Sequence, residues 1–229
     1  MQMAQTVRYM MEQSMILNFF GGVSQDPSSW TVDFDKVLRE LAGWLLPIGI
    51  CLLAEGLWLE KWRKIEPLAS YRYVTVKKWW RQKFMKNLRN SVLTAAVLFV
   101  TAMAADTVSH GELSDKNWKV LLLWLAHMIM TMTFFMLLDL TGARKLAPAI
   151  LLLEGGTFLV GFSNGRMARF MFGMWGMYCQ SEWYFQDTGV PVLSSLLIEM
   201  TLIALVYVAG GIFLERKGKG FSYGRDCQN

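Results

Sequence analysis

The sequence predicts an all-α polytopic membrane protein built as one transmembrane domain over residues 1–229, and three observations carry that prediction. Hydrophobic residues make up 54% of the chain and charged residues 18%, with a mean hydropathy of +0.30; a soluble domain carries roughly a quarter charged residues. Apolar runs of about the 20 residues that a bilayer requires recur along the chain. Charge is also unevenly placed. Between Glu60 and Arg89 ten Lys or Arg stand against two Glu, a net +8 in a chain of net +5, so the remainder sums to −3. Segments rich in Lys and Arg resist translocation, which orients the 60–89 stretch to the cytoplasm.

The first element, residues 1–23, is ambiguous. Met10 to Val23 has Glu12 as its only charge but runs 14 residues before SQDPSS, a length that suits either a short span or a surface-lying amphipathic helix. Arg8 and Glu12, four apart, share a face if helical. No basic cluster precedes the run and no small-residue cleavage site follows it, so it does not read as a secretory signal. Gly21 to Lys36, with Asp26, Asp33, Asp35 and Pro27, reads as an outer loop.

Leu41 to Leu59 is a span in which Pro47 is tolerable, because neighbouring helices satisfy the freed carbonyl. It enters the cytoplasm at the basic stretch. There Tyr71, Tyr73, Trp79, Trp80 and Phe84 alternate with Lys77, Lys78, Arg81, Lys83 and Lys86. This pattern places rings at headgroup level and cations against anionic lipid. Nucleic acid would be met by the same residue types, but the flanking apolar segments pin the stretch to a bilayer, and no nucleic-acid partner is expected.

Ser91 to Ser109 returns outward, with Ala95, Ala102 and Ala105 on one face for close helix packing. His110 to Lys119 is a short outer connection. Val120 to Leu140 descends to Arg144 and Lys145, and Ala147 to Phe162 is a short span interrupted in sequence by Glu154-Gly155-Gly156. Asn164 to Gln180 carries Arg166, Arg169, Gly173 and Gly176 at spacings of three, four and three, with Met, Phe and Trp opposite. Within an outer amphipathic segment over 164–190 it reads as a helix lying at or dipping into the surface. Val192 to Leu214 is the last span. It ends in a basic tail, 215–229, so the C-terminus of this multi-pass cell-membrane protein is expected in the cytoplasm. Five spans and the N-terminal candidate result, with sixteen of the 23 Lys and Arg on the inner side.

Chemistry-bearing motifs are sparse. Cys51, Cys179 and Cys227 fall inside a span, on the outer face and in the inner tail, out of bridging reach of one another. CxxC and HExxH are absent, and His110 and His127 stand alone on their segments, so no metal, cofactor or catalytic set is expected. Gly218-Lys219 lacks the rest of a Walker A loop, so ATP-driven work would need a separate subunit. Five acidic residues lie in apolar surroundings. Asp106, Asp139 and Glu55 sit near span ends, where solvation relieves them. Glu154 and Glu199 lie deeper, and either are protonated or hydrogen-bonded to another helix, or line a path or gate.

This order of spans, with a basic cytoplasmic loop and an amphipathic re-entrant segment before the last helix, resembles the six-helix permease subunits of ABC exporters of the type-2 export class. Tyr71-Arg72-Tyr73 followed by Lys77-Lys78-Trp79-Trp80 resembles the first-loop pattern of small permeases that accompany peptide-antibiotic export or immunity systems. The resemblance implies an ATPase partner docking on Ile65 to Arg89, through these seven residues. It also implies an outer gate over Asn164 to Phe185 that includes Arg166 and Arg169, and a homodimer or second permease in the bilayer. The implied function is export of an amphipathic peptide or lipid. The alternatives are a non-transporting membrane accessory, receptor or immunity protein, and an intramembrane enzyme using Glu154, Glu199 or His127.

Overall fold

The computed structural model describes residues 14–26, 32–70, 75–110, 116–143 and 147–222. Among them the fold is all-helical. The elements are α1 (Met15–Phe20), α2 (Phe34–Ser70), α3 (Val76–His110), α4 (Asn117–Leu140), α5 (Ala147–Ser163), α6 (Gly165–Ala168), α7 (Phe172–Trp175), a 3-10 turn at Tyr178–Gln180, and α8 (Val192–Ser222). Four of these, α2, α3, α4 and α8, are long and apolar enough to cross a membrane, and the apolar stretch Pro148–Ser163 of α5 is shorter.

α4 is the central element. Buried residues surround its axis, including the consecutive run Met130, Thr131, Met132 and Thr133, as expected of a helix enclosed on every side. It packs against α1, α2, α3, α5 and α8. At its end Ala143 N–H donates to Leu138 O and Gly142 N–H to Asp139 O, with Gly142 at φ +82°. That paired closure needs a residue in the left-handed region, which glycine supplies without strain.

The sequence expectation fails in four places. The basic stretch 60–89 is helical over most of its length, α2 and α3 reaching 37 and 35 residues. At 1.5 Å per residue each is more than 50 Å long, well beyond a hydrocarbon core of about 30 Å. No glycine interrupts residues 60–89, and Lys, Arg, Gln, Met and Leu are good helix formers, so the helices continue past the apolar segments. The rings do not all face outward toward lipid either. Trp79, Trp80, Phe84 and Lys83 are buried, with the Trp80 Nε1–H donating to Tyr207 O at 2.8 Å and its ring stacked on Tyr207.

Third, the described residues 14–23 of the Met10 to Val23 segment hold only a short helix, neither a span nor a surface-lying one. Ser14 caps α1, accepting from Leu17 N–H, and the helix ends after six residues at Gly21, although 10–13 lie outside the described residues. α1 is wedged into the core instead, with Ile16 and Phe20 buried and the Phe20 ring edge-on to Phe99 and Trp124. Fourth, Asn164 to Gln180 is not one amphipathic helix. It is a chain of short turns whose later part, Gly173 to Gln180, is buried. Cys179 N–H donates to Gly21 O at 2.8 Å, and the Gln180 amide donates to Val23 O and Gln25 O. These bonds tie the segment to the chain leaving α1, so Cys179 is not on an accessible face.

Candidate functional site

Three helices each bring one titratable side chain to a common point in the core. His127 of α4 faces Glu154 Oε1 of α5 through Nε2 at 2.8 Å and Glu199 Oε1 of α8 through Nδ1 at 2.9 Å. Thr131, one turn along from His127, donates to Glu154 Oε1 at 3.3 Å. All three titratable groups are fully buried. Glu154 Oε2 and Glu199 Oε2, also buried, have no hydrogen-bond partner among the described residues.

Two glycines allow the turns after α5 to close over this cluster. A Cβ on Gly173 would lie 2.1 Å from Glu154 O, and one on Gly176 would lie 2.5 Å from the His127 side chain. Gly173 N–H donates to Thr157 Oγ1 at 2.8 Å, one turn beyond Glu154. The Phe172 and Trp44 rings stand 5.1 and 6.0 Å from the imidazole. The glycine spacing that suggested an amphipathic face is thus a close-approach surface for α4 and α5.

The chemistry follows from donor counting. A neutral imidazole offers one N–H and one bare nitrogen, so with a carboxyl oxygen at each nitrogen one glutamate must itself carry a proton. An imidazolium donates at both nitrogens, and with one carboxylate and one carboxylic acid the cluster is electrically neutral. With both glutamates protonated the neutral-imidazole arrangement is electrically neutral as well; the two then hold the same three protons and differ by the movement of one between imidazole and carboxyl. The cluster is therefore able to store and relay a proton without a net charge in the apolar core, where an isolated charge is costly. Among the described residues no group of His, Cys, Asp and Glu is arranged to hold a metal ion.

A second polar centre lies toward the basic end. Asp139 near the end of α4 accepts from Arg63 of α2 and has Lys83 Nζ of α3 3.9 Å away. Glu55 is buried nearby, with Asn90 in hydrogen-bond contact. Asp106, at the far end of α3, accepts from Ser14 Oγ, Met15 N–H and Ile16 N–H, capping α1. Asp106, Asp139 and Glu55 are all buried where solvation was expected; partners relieve Asp106 and Asp139, while Glu55 Oε1 has no hydrogen-bond partner among the described residues.

Of the residues expected to line a path or gate, Glu154 and Glu199 meet through His127. Arg169 is exposed, apart from the cluster, and the Arg166 side chain lies outside the described residues. Of the docking residues, Tyr71, Arg72 and Tyr73 lie outside the described residues, while Lys77 and Lys78 are exposed, Lys77 pairing with Glu215 at 3.2 Å. Trp79 and Trp80 face inward, which removes them from a docking surface. Thr131 and Lys83 were not singled out as site residues from the sequence, and His127 entered only as a candidate of the intramembrane-enzyme alternative. One signal was present, since His127, Glu154 and Glu199 each stand seven residues into their own predicted span. Compared with known protein families, curated proteins and solved structures, the chain shows no match.

Proposed function

We propose that the chain is the membrane subunit of an ATP-driven exporter of the type-2 export class, moving an amphipathic substrate such as a peptide or lipid. A separate ATPase would supply the energy, and the subunit would act as a homodimer or beside a second permease. The observation that carries this reading is the pair of long basic helices, α2 and α3, which extend past the apolar segments and are clamped to the two helices that bear His127 and Glu199. Arg63 and Lys83 hold Asp139, twelve residues along α4 from His127. Trp80 holds Tyr207, eight residues along α8 from Glu199. A displacement of the hairpin by a docked ATPase would act on both helices, and repacking there would disturb the bonds joining His127 to its two glutamates. In this reading the basic end and the C-terminus are cytoplasmic.

The test is purification of the tagged chain from its native membranes with identification of what accompanies it. A stoichiometric ATPase without membrane spans is expected, and Ala at Tyr71, Arg72 or Tyr73 should strip it while chain abundance stays near normal. Buried anchors at a protein interface cost about 2 kcal/mol or more when truncated. A chain that never copurifies with an ATPase overturns the exporter reading. The second reading, a non-transporting accessory, receptor or immunity protein, would then lead; the complete burial of the His127 cluster favours it, because a chain of one fixed conformation needs no exposed path.

A further inference from the structure

A cleft of about 230 Å³ opens between α2 and α3 where both helices turn from apolar to basic, and it is lined by Trp58, Lys61, Trp62, Lys86 and Arg89. Three cations therefore share one small concavity. Among the described residues no carboxylate forms an ion pair with Lys61, Lys86 or Arg89, whereas Arg63 and Lys83 of the same helices both reach Asp139. Like charges brought together repel one another, and an anion entering the cleft would relieve that repulsion. Its aromatic wall is built as well. Trp58 and Trp62 stand 5.8 Å apart on successive turns of α2, and Lys86 Nζ lies 4.3 Å over the Trp62 ring. That contact holds the ammonium in place ahead of any ligand. Arg89 adds a planar donor fork of the kind that matches phosphate oxygens.

The surroundings identify what the phosphate would belong to. Leu57 and Leu53 stand one and two turns before Lys61 on α2, and Leu93 and Val97 one and two turns after Arg89 on α3, so each pair continues the row of a lining cation into the apolar segment; all four are exposed, Leu57 by 71% and Val97 by 64%. A ligand seated here has cations at one end and bare aliphatic surface at the other. We infer that this cleft binds the phosphate headgroup of an anionic phospholipid whose acyl chains lie along the exposed leucines and valine of α2 and α3. The shared chemistry is that of a phosphate group; the aliphatic side of the cleft selects lipid over free phosphate. The inference does not depend on the exporter reading.

Purified, delipidated full-length chain in neutral detergent, examined by native mass spectrometry, tests it with three probes: dioleoylphosphatidylglycerol, dioleoylphosphatidylcholine and sodium phosphate. Phosphatidylglycerol is expected to bind at least about tenfold more tightly than phosphatidylcholine. The triple variant Lys61→Gln, Lys86→Gln, Arg89→Gln should abolish that preference, while Lys77→Gln, Lys78→Gln, Arg81→Gln, which removes equal charge outside the cleft, should stay within about twofold. A diffuse basic surface values each cation alike, so equal losses in the two triples overturn the site, as does no loss in either. Sodium phosphate binding as tightly as the lipid overturns the lipid assignment. If the cleft triple does not fold, Trp62→Leu replaces it. This change keeps every charge but removes the ring beneath Lys86 and should weaken phosphatidylglycerol several-fold; unchanged binding there overturns the site.

Discussion

His127 has no spare nitrogen, and this fixes how its neighbours respond to substitution. Replacing it with Leu leaves two buried carboxyl groups facing an apolar side chain, and breaking a buried pair costs about 3–5 kcal/mol. His127→Leu should therefore lower the thermal midpoint of the purified protein by many degrees. His127→Leu combined with Glu154→Leu and Glu199→Leu should recover much of the loss, because a wholly apolar replacement leaves nothing unpaired. No recovery would mean that the cluster is not the source of the cost. Glu154→Gln and Glu199→Gln separate structure from proton transfer, and export or resistance retained in both at normal expression would favour a purely structural cluster. Two glycines offer a sharper contrast. Gly173→Ala drives a Cβ to 2.1 Å from Glu154 O, a backbone atom that cannot step aside, whereas a Cβ on Gly156 meets nothing within 4 Å. The first should destabilise by about 1–3 kcal/mol, and the second should be neutral or stabilise by up to about 1 kcal/mol through helix propensity, both read from thermal unfolding.

At the level of elements, α1 is too short to be stable alone and depends on the Asp106 carboxylate at its N-terminus. An anion there satisfies orphan N–H groups and complements the helix dipole. Asp106→Ala should cost about 1.5–3 kcal/mol and raise hydrogen exchange over residues 14–26, leaving the centre of α4 protected. Equal exchange in variant and parent would show that packing of Ile16 and Phe20 holds α1 without the cap. The turns after α5 make a second element-level prediction through Cys179. Burial pushes its thiol up to about 12, with the Glu40 charge adding to the rise and Lys116 and Lys36 opposing it. An unfolded thiol ionises near 9.0, while the folded one keeps its proton to about 12, so Cys179 costs the folded state stability as pH rises through that window. In a Cys179-only variant, labelling by a maleimide should stay slow and nearly flat between pH 7 and 9.5, and become fast only on denaturation. A steep rise with pH in the native protein would place this segment in contact with solvent.

Across the whole molecule, Asp139 joins three long helices, since α2 supplies Arg63, α3 supplies Lys83 and α4 the carboxylate. Lys83 is buried, and without Asp139 its charge loses its carboxylate partner, although the Trp79 ring remains 5.1 Å away. Asp139→Asn should thus destabilise by about 3–5 kcal/mol, and adding Lys83→Met should return a large part of it, measured as thermal midpoints of the two variants. In the exporter reading the same double variant would bind the ATPase yet lose stimulated hydrolysis, because the hairpin would no longer be fastened to α4. Stimulation retained in that variant would leave Trp80 and Tyr207 as the remaining link.

Hydropathy and charge act along one dimension, and what depends on them was determined by the sequence alone: the all-helical class, the apolar runs, four of whose five predicted spans lie in helices long enough to cross a membrane, the concentration of cations between 60 and 89, and the position of Glu154 and Glu199 inside apolar segments. Pairings between distant residues are decided by which helix faces meet, and no local pattern carries that information. His127 meets partners 27 and 72 positions away, and Asp106 meets Ser14 across 92. The same limit explains the misplaced aromatics. Trp79, Trp80 and Lys83 have the composition of a headgroup-level surface, and only the approach of α8, with Gly210 beneath the Trp80 ring, turned Trp80 into core. Gly173 and Gly176 likewise looked like one face of a surface helix, because a residue without a side chain reads as small and weakly polar. Only contact with Glu154 and His127 shows that the missing Cβ is what lets three helices and the turns after α5 share one buried cluster.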